Sequence, residues 1–279
     1  LPITFGLKAA GWLDAVERHR ARLAAMKPRL LVLQFGGAAG TLAALGDKGL
    51  AVAAALAAAL ALALPALPWH TERDRLVEFA ALLGGLTGTL GKMARDLSLL
   101  MQSEVGEALE PAAEGRGGSS TMPHKRNPVA SAAVLAAATR APGLVATMLA
   151  AMVQEHERGL GNWPAEWTAL PELVVLAGGA LAQMRETMAG LEVDGARMRA
   201  NIEATRGLML AEAVSMALGA KLGRQAAHQR VEAACRRAVA EGRHLRDILA
   251  ADPVLSAEFP AAALDRLFDP LNYLGAAGA

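Results

Sequence analysis

The sequence predicts an all-α protein, and three observations carry that prediction. Apolar residues recur at helical spacing along nearly the whole chain, alternating strand patterns are hard to find, and 53% of the 279 residues are hydrophobic. A chain of this length and apolarity can bury a substantial core, enough for one large or two ordinary domains.

The first helix follows from the stripe Phe5, Trp12, Leu13, Val16, Leu23 and Met26, with Asp14 and Arg18 four apart and placed to pair beside it. Next comes "LAVAAALAAALALALPALP", Leu50 to Pro68, apolar for long enough to resemble a membrane span. Alanine contributes little burial per residue and Pro65 and Pro68 break its end, so the segment is expected to be a buried bundle helix rather than a span. Thr71 followed by Asp74 has the form of a capping box for a helix through "LVEFAALLGGLTGTLGKMARDLSLLMQSEV". Further helices are expected at about 129–155, 168–190, 205–219 and 223–241, with Gly242 and Asp252-Pro253 as breakers. Alanine lies on faces that a small monomer would expose, which predicts a bundle continued across subunits. Charge density rises and helices shorten after "AGLEVDGARM", so a boundary is expected near 192, dividing a central bundle domain, 1–192, from a helical C-terminal domain, 193–279.

Charge and cysteine content exclude several functions. Lys and Arg total 28 against 27 for Asp and Glu, a net charge of +1, and aromatic residues are 4% of the chain, so no nucleic-acid footprint is present. The single cysteine, Cys235, rules out a disulfide framework or a multi-cysteine metal site within the chain and fits a cytoplasmic location. The N-terminal "LPITFGLKAAGW" lacks the basic-then-apolar layout of a signal peptide, and its start without methionine leads us to expect sequence upstream.

The helical pattern stops at "GRGGSSTMPHKRNPV", residues 115–129. Gly115, Gly117 and Gly118 permit positive φ and close approach to a ligand, and Ser119 to Asn127 has no apolar period. Met122, Pro123 and Pro128 stiffen a segment crowded with hydroxyls, Lys125 and Asn127, which sets it apart from an ordinary solvated connection. A phosphate-binding G-x-x-x-x-G-K-[ST] loop does not match, since His124 precedes Lys125 and Arg126 follows it.

The stretch "GSSTMPHKRNP" resembles the signature loop of the fumarase, aspartase and adenylosuccinate lyase superfamily, and a match of this length and complexity is highly specific. The resemblance implies a long-helix bundle that tetramerises, with sites assembled from different subunits and the loop spanning 111–128. It also implies removal of a proton from carbon beside a carboxylate, with Ser119 as the base. Ser120 and Thr121 would add donors to the substrate carboxylate. A serine hydroxyl is too weak an acid for this role unless its loop excludes water and surrounds the oxyanion with N–H donors and a cation, parts that Lys125 and Asn127 can supply. The superfamily's general-acid histidine belongs to a segment preceding Leu1, together with an N-terminal domain.

A second polar interruption, "QEHERGLGNWPAEW", 154–167, is not a zinc helix, because Leu160 stands where H-E-x-x-H needs histidine. It resembles the "HER" region of adenylosuccinate lyases, in which an arginine, a serine and a second arginine hold the nucleotide phosphate. Arg158 remains here, but the later positions are Trp163 and Trp167, and an indole offers at most one N–H to a dianion. A glutamate five residues after the signature asparagine supports the acid histidine in the lyases, and that position is Ala132. Both departures, with the terminal "LFDPLNYLG", resemble the bacterial 3-carboxy-cis,cis-muconate cycloisomerases. That branch implies lactonization of a tricarboxylate in protocatechuate breakdown through the β-ketoadipate pathway, with no metal or other cofactor. Arg158, Lys125 and Arg126 are then the cations for the carboxylates.

Plainer roles stand beside these. Arg126 is equally readable as a charge paired within the loop, and His124 as a loop-shaping donor. His156 would orient Arg158 or Glu157, or cap a helix. Trp163 and Trp167 are either a packed stripe or a wall excluding nucleotides. His19, His70, His228 and His244 are expected to be structural or exposed. The competing functions are a fumarate-eliminating lyase and a catalytically silent structural protein of the same fold.

Overall fold

The computed structural model describes residues 1–112, 117–118, 122 and 125–277. The chain is all-α, and among the described residues the only strands are two residues each, Ala108–Leu109 and Glu192–Val193. It divides into two compact units, one formed by Trp12–Gln102 and Ala108–Glu192, the other by Leu1–Gly11, Ser103–Glu107 and Val193–Ala279.

Helix α1, Phe5–Leu30, buries Trp12 and Met26, while Leu13 is 62% exposed because it lies about 100° round the helix from Trp12. Trp12 Nε1 donates to Asp96 Oδ2 at 3.0 Å, and Arg18 pairs with Asp14 one turn away. The Leu50–Pro68 run is not the buried bundle helix expected. Helix α2 covers only Gly49–Ala59 and buries Gly49, Ala53 and Ala57; Ala61 then adopts a left-handed φ of 54°. The chain reverses there so that Ala63 can bridge to Val32, with Leu33 N donating to Ala63 O at 2.9 Å.

The larger unit is built on α3 (Asp74–Leu100), α4 (Val129–Ala150) and α5 (Asn162–Ala189), each packed against the other two. Val77 and Ala80 of α3, Ala141 and Met148 of α4, and Ala169 and Leu173 of α5 form a buried cluster toward the end of the bundle where α3 and α5 begin and α4 ends. Thr71 is not a cap: α3 begins at Asp74 without a side-chain cap, and the Thr71 hydroxyl donates instead to His156 O at 2.8 Å. Helix α4 ends five residues sooner than expected, and α5 starts six sooner. That early start is compatible with Pro164, since proline in a first turn gives up only an N–H that has no helical partner. Helices α4 and α5 are long and apolar enough to cross a bilayer by length and composition, yet here they are two sides of one bundle.

Glycine sets the α3–α4 spacing. A Cβ on Gly91 would stand 2.6 Å from Ala138 Cβ, and one on Gly84 would stand 2.7 Å from Val145 Cγ2. Gly91→Ala gains about 1 kcal/mol of helix propensity but forces apart two packed helices at about 1–3 kcal/mol. We expect a net loss of stability, read as a lower urea midpoint at unchanged slope; a raised midpoint would mean the helices separate freely.

In the smaller unit, α6 (Gly195–Ala204) starts at Asp194, whose carboxylate accepts from Arg197 N at 2.8 Å. Helices α7 (Ala211–Leu222) and α8 (Arg224–Glu241) form a hairpin about Gly223, which takes φ 83°. With α9 (Leu245–Ala250), α10 (Pro253–Glu258) and α11 (Ala261–Leu267) they enclose Leu218, Val231, Ile248, Leu249, Leu255 and Leu264.

Candidate active site

Ser119, Ser120, Thr121 and His124 lie outside the described residues; the stems on either side of them do not. The neck is closed where Asn127 N donates to Gly117 O at 2.9 Å and the Asn127 side-chain amide donates to the same carbonyl at 3.2 Å. Gly117 has φ +72°, and a Cβ there would meet Asn127 O at 3.0 Å, so the neck requires glycine.

Glu110 anchors the stems. Its carboxylate is buried at 6% exposure and accepts from Ala130 N (3.0 Å), Ser131 N (2.7 Å) and Ser131 Oγ (2.6 Å), an anionic cap on the N-terminus of α4. Two otherwise unpaired helix N–H groups and the positive end of the helix dipole are satisfied together. The Glu110 carbonyl accepts from Arg126, whose guanidinium also grips Glu192 through two bonds of 2.7 and 2.8 Å. The hydrogen bond from Arg126 holds the Glu192 carboxyl below its usual range. Arg126 is thus paired with Glu192, outside the 111–128 segment, and not within the loop as the plainer reading expected. Lys125 and Asn127 line a cleft of about 210 Å³ with Gly117, Gly118, Glu110 and Met101.

A second cleft, about 110 Å³, lies against the "HER" segment. Arg158 Nε donates to Ala38 O at 2.7 Å, Nη2 donates to Gly37 O, and Nη1 lies 3.1 Å from His70 Nδ1 and 3.3 Å from Nε2. The carbonyls belong to a glycine turn in which Gly37 and Gly40 have positive φ and Gly36 packs so tightly that a Cβ would approach Pro68 Cβ to 2.9 Å. Burial first, then the charges of Arg158 and Arg73, push the His70 imidazole below its ordinary value of 6.5. His156 also lines this cleft, at a left-handed φ of 48° that its backbone bond from Thr71 helps hold. Trp163 and Trp167 are edge-to-face at 5.0 Å, and Trp163 meets His70 edge-on at 4.5 Å.

Beneath the tryptophans, Glu166 and Arg73 form an ion pair 4% and 7% exposed. Arg73 Nε reaches both Glu166 oxygens at 2.9 and 3.1 Å, and Gln154 Nε2 adds a donor at 3.2 Å. This pair fastens α5 to the start of α3.

The structure therefore brings Lys125 and Asn127 together and places Arg158 at a separate cleft of the same unit. Sequence reasoning did not single out Glu110, Ser131 or Glu166, and it expected His70 to be structural or exposed. The only local signal was the glycine cluster of "GGAAGT" and the histidine of "PWHTERDR".

The chain belongs to the family described as Lyase, which matches residues 1–143, and residues 207–279 match the family described as Adenylosuccinate lyase C-terminus. It is 63% identical over 278 residues to a 3-carboxy-cis,cis-muconate cycloisomerase of Pseudomonas aeruginosa, with 100% of this chain and 61% of the relative covered. Over 279 residues it is 56% identical to a protein of the same name from Bradyrhizobium diazoefficiens, covering 100% of this chain and 62% of that one. The crystal structure of 3-carboxy-cis,cis-muconate lactonizing enzyme from Pseudomonas putida superposes with a TM-score of 0.93 at 58% identity, over 99% of this chain and 61% of that one. The chain thus spans 61–62% of the length of these relatives.

Proposed function

We propose that the protein is a cytoplasmic cycloisomerase that closes 3-carboxy-cis,cis-muconate to 4-carboxymuconolactone in protocatechuate catabolism. The observation that carries this reading is the 63% identity along the whole chain to a relative of that name. Residues 1–192 would serve as the central bundle domain and 193–279 as the C-terminal domain.

In ring closure a carboxylate oxygen of the substrate bonds to an alkene carbon, and the electron pair of the double bond moves to the neighbouring carbon beside another carboxylate. The Ser119 hydroxyl then delivers a proton to that carbon. In reverse, the Ser119 oxygen removes the proton, the double bond re-forms and the ring carboxylate leaves. A carboxylate with a pKa of about 4 departs without being protonated, so Ala132 in place of the lyases' supporting glutamate is tolerable chemistry. Holding both reacting ends in one conformer can supply roughly 7–11 kcal/mol of the barrier, and the reaction needs no redox or metal cofactor.

Lys125, Asn127 and Arg158 would bind the substrate with Ser120 and Thr121. Within one chain Lys125 and Arg158 line different clefts, an arrangement that suits a site shared between subunits of a homotetramer. Exposed apolar residues along the bundle, including Leu149, Val174, Val175 and Leu181, supply surface for such assembly.

Full-length protein should change the absorbance of 3-carboxymuconate and leave adenylosuccinate and argininosuccinate untouched, while light scattering should give about four chain masses. Failure to turn over the muconate would end this reading.

A further inference from the structure

Arg158 is not a loose cation. Among the described residues, three of the five N–H groups that a guanidinium carries are spent on Gly37 O, Ala38 O and His70. Two of these ties are backbone carbonyls of a glycine turn, which no side-chain substitution can remove. The third is a side chain, and its ring is itself held by the edge-on contact with Trp163.

We propose that His70 is a positioning residue for Arg158: as a neutral imidazole it accepts from Nη1 and holds the guanidinium plane ready for a carboxylate of the substrate. Nη1 lies 3.1 Å from Nδ1 and 3.3 Å from Nε2, so the tautomer decides which nitrogen can accept, and a protonated ring has no acceptor at all. The other charges around the ring are Arg73 and Glu72 beside it in sequence and Glu166 on α5. Burial and the two arginines together favour the neutral ring over the two carboxylates, in agreement with the geometry. An oriented guanidinium loses less freedom when the anion arrives, so the benefit belongs to binding rather than to the proton-transfer step.

The inference rests on the assignment of Arg158 as a substrate cation, and the experiment separates the two. His70→Phe keeps a ring against Trp163 and removes the acceptor, while His70→Asn restores an acceptor without a titrating group. In the full-length protein, His70→Phe is expected to raise KM for 3-carboxymuconate about tenfold with kcat within about twofold. His70→Asn should recover most of that loss, and His70→Phe should add nothing in an Arg158→Ala background. A nuclear magnetic resonance titration of His70 supplies a readout independent of turnover: Arg158→Ala should raise its pKa, because a neighbouring cation is gone. If Arg158→Ala raises KM but His70→Phe does not, or the two losses add fully, this inference is overturned and the Arg158 assignment stands. A normal KM in Arg158→Ala overturns both. An unchanged His70 titration in Arg158→Ala removes the contact itself, whatever the substrate.

Discussion

Ser119→Ala is expected to lower turnover by about three orders of magnitude, within the 10²–10⁴ range that a positioned proton-transfer group contributes. Each tenfold loss corresponds to about 1.4 kcal/mol of barrier, so the methyl side chain would forfeit about 4 kcal/mol of transition-state stabilisation. In the proposed site the hydroxyl would exchange its proton only at the carbon undergoing reaction, and Lys125 and Arg158 would hold the carboxylates, so the effect should fall on kcat. Far-UV circular dichroism and assembly mass should not change, because Gly117 and Asn127 pair with each other and Glu110 caps α4 through Ala130 and Ser131. A Ser119→Ala rate within tenfold of the parent would move the proton to another group.

Breaking the buried ion pair should produce the largest loss of stability. Arg73→Met leaves the Glu166 carboxylate in a 4% exposed position with Gln154 as its remaining side-chain donor, and Glu166→Leu strands the Arg73 guanidinium in the same way. Removing one member of a buried pair costs about 3–5 kcal/mol, because the other charge stays desolvated without its partner. Replacing both together should cost much less than the two single losses combined, since no uncompensated charge remains. Urea unfolding of the two single variants and the double variant measures this directly, and additivity would show that the groups do not act as a pair. Trp163 and Trp167 flank Glu166 in sequence, and the Arg73 guanidinium donates to His70 O at 3.1 Å, so if Arg158 binds substrate as proposed, the single variants should also weaken that binding.

Helix content was legible because burial in a packed bundle imprints a short period on the chain. The stripe of α3 and the apolar faces of α4 and α5 carry that imprint, and each helix appears close to where the pattern puts it. The break between helices was legible for the opposite reason, since glycine, serine and lysine at 115–129 have no use in a core, and the residues described there before α4, 117–118, 122 and 125–128, are not helical. Leu50–Pro68 misled because a uniform apolar run has no phase: composition alone did not reveal that the chain would reverse at Ala61 to pair Ala63 with Val32. Thr71 misled because a cap and a long-range hydroxyl donor share one local sequence, and His156, 85 positions away, decided between them.

By itself the sequence determined the all-α class, the place where the helices are interrupted ahead of α4 and the kinship with lyases, because each is written in residues close together along the chain. Only the tertiary structure decided that Glu110 caps α4 through Ser131, that Arg73 answers Glu166, and that Arg158 leans on His70, pairings across 21, 93 and 88 residues. Periodicity records how much of a residue is buried. It does not record which distant charge or dipole that residue meets once the helices have come together.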